Sequence, residues 1–458
     1  LLDNQDFSIS RNQFPADFVW GAATAAYQVE GSVDVDGRTP SIWDVFSHTP
    51  GKTYQGQNGD IAGDHYRRYK EDVALMRQLG LDAYRFSVSW PRVLPEGRRG
   101  IVNHKGLDFY DKLVDELLAN NIDPFVTLYH WDLPQVLQEK GGWKERATTE
   151  YFCELADVVT RRLGDRVKGW ITLNEPWVSA VTGHITGEHA PGETDIIAGV
   201  RAGHHLMLAH GLALPVIRDN MTRPDAQVGI TLSSTYVEPG NDSTEAKDLA
   251  LLVDVISNRL FLEPLFKGQY PKELPDNFFL PMVPMEPGDL EIISRPVDFL
   301  GLNYYFRTLP LNVEDFSTYT IRQAKPPESQ YTALGWEVYP RGLSELLNRV
   351  YKDYFQGPIY ITENGAAYED VLEETKEGPV VHDPERTAYL AQHIGAALDA
   401  IKEGVPLKGY FAWTLYDNFE WALGTNARFG LAYLDYPTQR RIIKDSGHWY
   451  SQFLKNKV

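Results

Sequence analysis

Residues 358–365 read PIYITENG. Ile359, Tyr360 and Ile361 form an apolar run of strand length, and the chain passes from it to Thr362, Glu363, Asn364 and Gly365 with no polar spacer. An apolar strand ending in a carboxylate, an amide and a glycine places charge where a parallel barrel or sheet opens to solvent, the end at which α/β folds bind ligands. Residues 170–176, WITLNEP, repeat the design, with Ile171 and Leu173 leading into Asn174 and Glu175. Either glutamate alone reads first as a cap on the next helix, since helix N-termini favour acids. Two such strand ends, each with an asparagine beside the acid, supply the proton donor and the nucleophile or base that chemistry on a sugar acetal needs.

Outward from these two stretches the pattern recurs. Strand-like runs begin or lie at 18–31, 83–90, 124–134, 170–173, 227–235, 297–305, 358–361 and 407–421. Helical periodicity fills 64–79, 106–118, 148–163, 198–219, 247–266, 342–355 and 383–402, with a last helical stretch around Trp449 and Phe453. Eight strands alternating with helices predict an α/β fold, a single (β/α)8 TIM barrel with elaborated βα loops, spanning 1–458 with its core at about 14–455. A doubly wound open sheet is the competing arrangement; the similar polar residues at the first and last strand ends favour closure. Trp43, Phe46 and Tyr54 fall in a polar stretch read as loop, Pro91 reads as the stop of the second strand, and Pro264 as a break in its helix. Residues 268–296 read as surface chain, and 309–340, which lack a strong period, as a long loop over one end of the barrel.

Composition narrows the function classes. Of 458 residues 43% are hydrophobic, which argues against disorder, and 63 acidic against 44 basic residues leave a net charge of −19. That balance argues against a nucleic-acid partner. No run of 18 apolar residues and no basic amphipathic helix points to a membrane. Cys153, the single cysteine, excludes an intrachain disulfide and reads as a structural thiol. With no basic stretch leading into an apolar core near residue 1, the expected location is cytoplasmic.

The strand-end residues are Gln28, Arg85, His130, Trp131, Asn174, Glu175, Asn303, Tyr305, Glu363, Trp413, Glu420 and Trp421. Planar aromatics stack on the apolar face of a pyranose, and amides and carboxylates bond its hydroxyls. Phosphate-loop, HExxH and dinucleotide glycine patterns do not occur, and the adjacent His204 and His205 point different ways on a helix, so neither a cofactor nor a metal is expected.

FVWGAATAAYQVEG, YRFSVSW, TLYHWDLP, TLNEP, GLNYY, ITENG and YFAWTLYDNFEWALG together resemble the signature segments of glycoside hydrolase family 1, over residues 14–453. The resemblance implies a TIM barrel and retaining hydrolysis of terminal β-D-glucosyl residues from β-glucosides and cello-oligosaccharides, through a covalent glycosyl-enzyme. It implies Glu175 as acid/base and Glu363 as nucleophile, with Arg85 and Tyr305 holding Glu363 and Asn303 beside them. Gln28, His130, Asn174 and Glu420 would bind sugar hydroxyls, Trp413 would form a stacking floor, Trp421 would donate from its indole, Trp131 would join the substrate shell and Trp336 would face the aglycone. Tyr416 departs from the leucine many members carry. A 6-phospho-β-glycosidase would need cations after Trp421, where ALGTNARFGLAYLDY holds only Arg428. A noncatalytic carbohydrate-binding barrel would have lost a catalytic carboxylate, and both are present. Homo-oligomerisation is left open.

Overall fold

The computed structural model describes residues 9–274, 279–315 and 320–455. Eight parallel strands close into a barrel in chain order: β1 Val19–Ala23, β2 Ala83–Ser87, β3 Asp123–Tyr129, β4 Gly169–Asn174, β5 Gln227–Ser233, β6 Phe299–Asn303, β7 Ile359–Asn364 and β8 Leu407–Trp413. β8 returns to β1 along the register Val19↔Gly409 to Ala23↔Trp413, which excludes the open doubly wound sheet. The principal outer helices are α1 His65–Leu79, α2 His104–Ala119, α3 Ala147–Leu163, α4 Ile196–Asn220, α5 Thr244–Asp254, α6 Pro340–Asp353, α7 Pro384–Lys402 and α8 Asp445–Lys455.

The barrel interior is filled by aromatic rings. Phe125 on β3 lies 5.7 Å from Tyr360 on β7 and 5.1 Å from Phe411 on β8, centroid to centroid. These strands are not neighbours, so the rings meet across the lumen and make the lower barrel a packed core. Glycines on adjacent strands provide the space: a Cβ at Gly21 would fall 2.5 Å from Phe411, and one at Gly169 2.1 Å from Phe125. On the outer side Trp20 packs against Phe14, Phe18 and Phe453, at 4.7 to 4.8 Å, and so binds α8 to the first strand.

Several local expectations are corrected. Ile42–His48, read as loop, is a helix, because Ser41 and Asp44 cap it reciprocally. β2 ends at Ser87, and Pro91 sits in the first turn of the short helix Trp90–Val93, where its missing N–H costs nothing. Pro264 does not break its segment; the helix Leu260–Lys267 runs on to Gly268, whose φ of 63° ends it. Within 309–340 the strands Pro310–Asp315 and Thr320–Gln323 pair as an antiparallel ribbon, so this excursion has secondary structure of its own. The surface reading of 268–296 holds in part: Asp289 is buried under α4, and 275–278 lie outside the described residues. Among the described residues no helix is long and apolar enough to cross a membrane.

Trp20→Ala removes the ring on which Phe14, Phe18 and Phe453 converge. It should lower the free energy of unfolding by about 3 to 5 kcal/mol, measured by urea denaturation.

Candidate active site

Both glutamates leave the barrel through a break in register. The β4–β5 pairing shifts between Ile171 and Asn174, and the β7–β6 pairing between Ile361 and Glu363. A bulge at a barrel rim rotates the next side chain away from simple alternation, and here it turns carboxylates toward the axis. Glu175 also has φ 47°, and Trp131 and Trp421 have φ 76° and 52°. Three bulky residues in the left-handed region, each costing on the order of 1 kcal/mol or more, are maintained only where surrounding contacts impose them.

Arg85, on β2, sits at the centre and is fully buried. Its Nη1 donates to Glu363 Oε1 at 2.7 Å and to the Thr362 carbonyl at 3.0 Å. Its Nη2 donates to Asn174 Oδ1 at 2.6 Å, and its Nε to Thr127 Oγ1 at 3.2 Å. The Tyr305 hydroxyl donates to the other Glu363 oxygen at 2.7 Å. Asn303 lies beside Glu363 and also reaches the other acid: its Nδ2 donates to Glu175 Oε1 at 2.7 Å, while its Oδ1 accepts from Thr362 Oγ1 at 2.7 Å. The reason is the register of β6, which sets Asn303 opposite Glu363 and within reach of the β4 rim.

The two carboxyls therefore have unequal environments. Burial and then the negative charge of Glu363 push Glu175 up to about 8. Burial also raises Glu363, but Arg85 and the Tyr305 hydroxyl oppose it and favour its charged form. Glu420, which is half-buried, is pushed up to about 8 by loss of solvation and by Glu363. Of the three carboxyls only Glu363 is bonded to the Arg85 guanidinium.

The remaining predicted residues gather around this centre. Gln28 Nε2 donates to the Phe419 carbonyl at 2.9 Å, to Asn418 Oδ1 at 3.2 Å and to Glu420 Oε2 at 3.3 Å. Asn174 Nδ2 donates to His130 Nε2 at 3.0 Å, since both acceptor lone pairs of Asn174 Oδ1 are engaged by Arg85 and Asn303. That assigns the His130 proton to Nδ1, and burial together with Arg85 holds the ring well below the ordinary histidine range, hence neutral. His130 Nδ1 and Gln28 Oε1 are buried without partners among the described residues. One is a donor and the other an acceptor, the pair of functions that polyol hydroxyls satisfy.

The Trp131 indole donates to the Asn174 carbonyl at 2.9 Å, so Trp131 is a wall rather than a hydrogen-bond donor to a ligand. Its ring lies 4.7 Å from Trp421, which packs 4.6 Å from Trp43. Trp413 stands in near-parallel relation to His130 at 6.0 Å. Trp336 is half-buried at the opposite rim against Tyr305 and Phe306. Sequence reasoning missed Thr362, Asn418, Trp43 and His189. Thr362 and Asn418 adjoin residues already singled out, whereas the contact of His189 with Trp43 and Trp421 carries no local signal. Among the described residues no cluster of three or more His, Cys, Asp or Glu is arranged to hold a metal. His204 is engaged by Tyr270 and Asp289, and His205 by the Trp143 carbonyl, as expected of helix neighbours facing apart.

The sequence model described as Glycosyl hydrolase family 1 matches residues 10–458. β-Glucosidase A of Thermotoga maritima is 48% identical, over 97% of this chain and 98% of that protein. A 1,4-β-D-glucan glucohydrolase of Thermotoga neapolitana is 47% identical over 97% and 98%. The solved β-glucosidase of Thermotoga maritima in complex with glucoimidazole superposes with a TM-score of 0.91 at 48% identity, covering 97% of this chain and 99% of that one.

The Glu363 charge is the second cause raising Glu175, after burial, so its removal acts in one direction. In Glu363→Gln, Glu175 should titrate lower than it does in the wild-type protein, followed by carbon-13 NMR of labelled glutamate. An unchanged midpoint would mean that burial alone sets it.

Proposed function

The chain belongs to glycosyl hydrolase family 1, and from that premise we propose that it is a retaining β-glucosidase that releases terminal, non-reducing β-D-glucosyl residues from β-glucosides and cello-oligosaccharides. The reading treats the whole chain as one catalytic barrel acting on neutral sugars without a cofactor. The observation that carries the mechanism is the asymmetry of the two glutamates: Glu363 receives a guanidinium N–H and a phenol O–H, both at 2.7 Å, and Glu175 receives one amide.

Glu363, the ionised member, is the nucleophile. Its carboxylate oxygen forms a bond to the anomeric carbon as the glycosidic C–O bond breaks, and the proton of Glu175 passes to the departing oxygen. The ester consumes the charge of Glu363 and with it one of the influences raising Glu175, which therefore stays ionised and available as the base of the second step. Glu175 then takes a proton from water as the water oxygen attacks the same carbon, the ester C–O bond breaks and Glu363 is regenerated. Two inversions give net retention. Gln28, His130, Asn174, Glu420 and Trp421 bind the sugar hydroxyls, Trp413 and Trp131 form its walls, and Trp336 faces the leaving group. Asn174 acts largely through Arg85 and His130, which its amide holds in register.

The phosphosugar alternative gains nothing from the geometry. Arg428 is paired with Asp417 at 2.7 Å and lies over the rings of Tyr433 and Tyr436, while Glu420 faces the same site with an acid. Wild-type enzyme should cleave nitrophenyl β-glucoside in preference to its 6-phosphate; the reverse preference would reject this substrate class.

Azide separates the roles. Glu363→Ala should be nearly inactive even toward dinitrophenyl β-glucoside and, with azide, should yield the α-glucosyl azide. Glu175→Ala should show a burst with that substrate and yield the β-glucosyl azide, and with cellobiose should lose about 10² to 10⁴ in rate. Proton NMR of the azides reads the anomers, and exchanged configurations would reverse the assignment.

A further inference from the structure

The chain beyond β8 carries Asn418, Glu420 and Trp421, and its conformation there sets where the sugar-binding acid stands. Backbone pairing holds its base: Leu415 N–H donates to the Ala23 carbonyl and Asp417 N–H to the Ala432 carbonyl, at 3.3 and 3.0 Å. Between them Tyr416 turns outward, away from the site, and ends on helix α1. Its side chain is fully buried, and its hydroxyl donates to Asp72 Oδ2 at 3.1 Å.

Asp72 is built to hold that hydroxyl. It has no exposed surface, and it accepts His65 Nδ1–H at 2.7 Å and Arg441 Nε–H at 2.8 Å in addition to Tyr416. Burial alone would raise this carboxyl, yet the bonds from His65 and Arg441 hold it below the ordinary carboxylate range, so it remains a charged acceptor. The Tyr416 ring is closely flanked. The Arg441 guanidinium lies 4.9 Å from its centroid, and Gly63 abuts it so closely that a Cβ there would fall 2.6 Å from Cε2. From Tyr416 inward the ties are continuous: Asn418 Nδ2 donates to the Tyr416 carbonyl at 3.4 Å, Asn418 Oδ1 accepts from Gln28, and the same Gln28 amide reaches Glu420 Oε2.

We propose that Tyr416 is a positioning residue for Glu420: anchored on Asp72, it fixes the β8 loop in the one arrangement that sets the Glu420 carboxyl against Gln28 and the bound sugar. The inference rests on the reading of Glu420 as a sugar ligand. A phenol bonded to a buried carboxylate also contributes to stability, so loss of stability alone does not distinguish positioning from packing. Coupling to Glu420 does, because contacts that act through one group are non-additive with its removal.

The test is a double-mutant cycle on kcat/KM for nitrophenyl β-glucoside, with thermal midpoints recorded for every variant. Tyr416→Phe keeps the ring and removes the donor; it should lower kcat/KM by about 5- to 20-fold in wild-type enzyme and by less than about 2-fold in the Glu420→Gln background. Equal losses in both backgrounds, or no loss in wild type, would overturn the proposal. Should Tyr416→Phe not accumulate folded, Asp72→Asn, which preserves shape and weakens the acceptor, is read by the same criterion. A Glu420→Gln variant as active as wild type would overturn both this inference and the role of Glu420 beneath it, whereas additive losses overturn the inference alone.

Discussion

The bond between Arg85 and Glu363 is the constraint on which the site depends. A guanidinium with about 1% of its surface exposed must be paired, because an uncompensated buried charge costs several kcal/mol. Arg85 resolves this by bonding the Glu363 carboxylate, the Asn174 amide oxygen, the Thr127 hydroxyl and the Thr362 carbonyl at once. Strands β2, β3, β4 and β7 are thereby locked to a common point. The same bond sets the carboxyls apart electrostatically, since of the three only Glu363 is bonded to the cation, which favours its charged form. Glu175 and Glu420 are left to burial and to repulsion from Glu363, which drive both upward.

That electrostatic division needs a rigid frame, and the frame is unusual at the backbone. Register breaks precede Glu363 and Asn174, and left-handed conformations occur at Trp131, Glu175 and Trp421. Each is unfavourable locally, and each sits above a lower barrel packed with Phe125, Phe299, Tyr360 and Phe411. The packed core holds the rim that carries the candidate site, which is the usual division of labour along a barrel axis.

The region after β8 shows a second form of support. Asp417 accepts the Gly430 N–H at 2.9 Å, Lys444 Nζ at 2.6 Å and Arg428 Nη1 at 2.7 Å, while Tyr416 reaches outward to Asp72. Neighbouring residues thus anchor one loop in opposite directions. Two buried ion networks, one centred on Asp417 and one on Asp72, bracket the segment that presents Glu420 and Trp421.

The sequence by itself determined the fold class and most of the residues that gather at the candidate site. Strand and helix periods are local, and each of the two glutamates follows its own strand directly, so PIYITENG and WITLNEP disclosed the barrel and pointed to the two acids at its rim. The short helix at Ile42–His48 was hidden because its cap is a reciprocal pair of side chains within an otherwise polar stretch, and the ribbon within 309–340 because its strands alternate weakly. Only the tertiary structure decided which group holds which. Asn303 serves Glu175, Trp131 spends its indole on Asn174 and Tyr416 is tied to Asp72, the last across 344 residues of chain. Donor and acceptor capacity is written in each residue, but partnership depends on strand register and barrel closure, which bring distant residues within 3 Å without leaving any trace in the spacing of the chain.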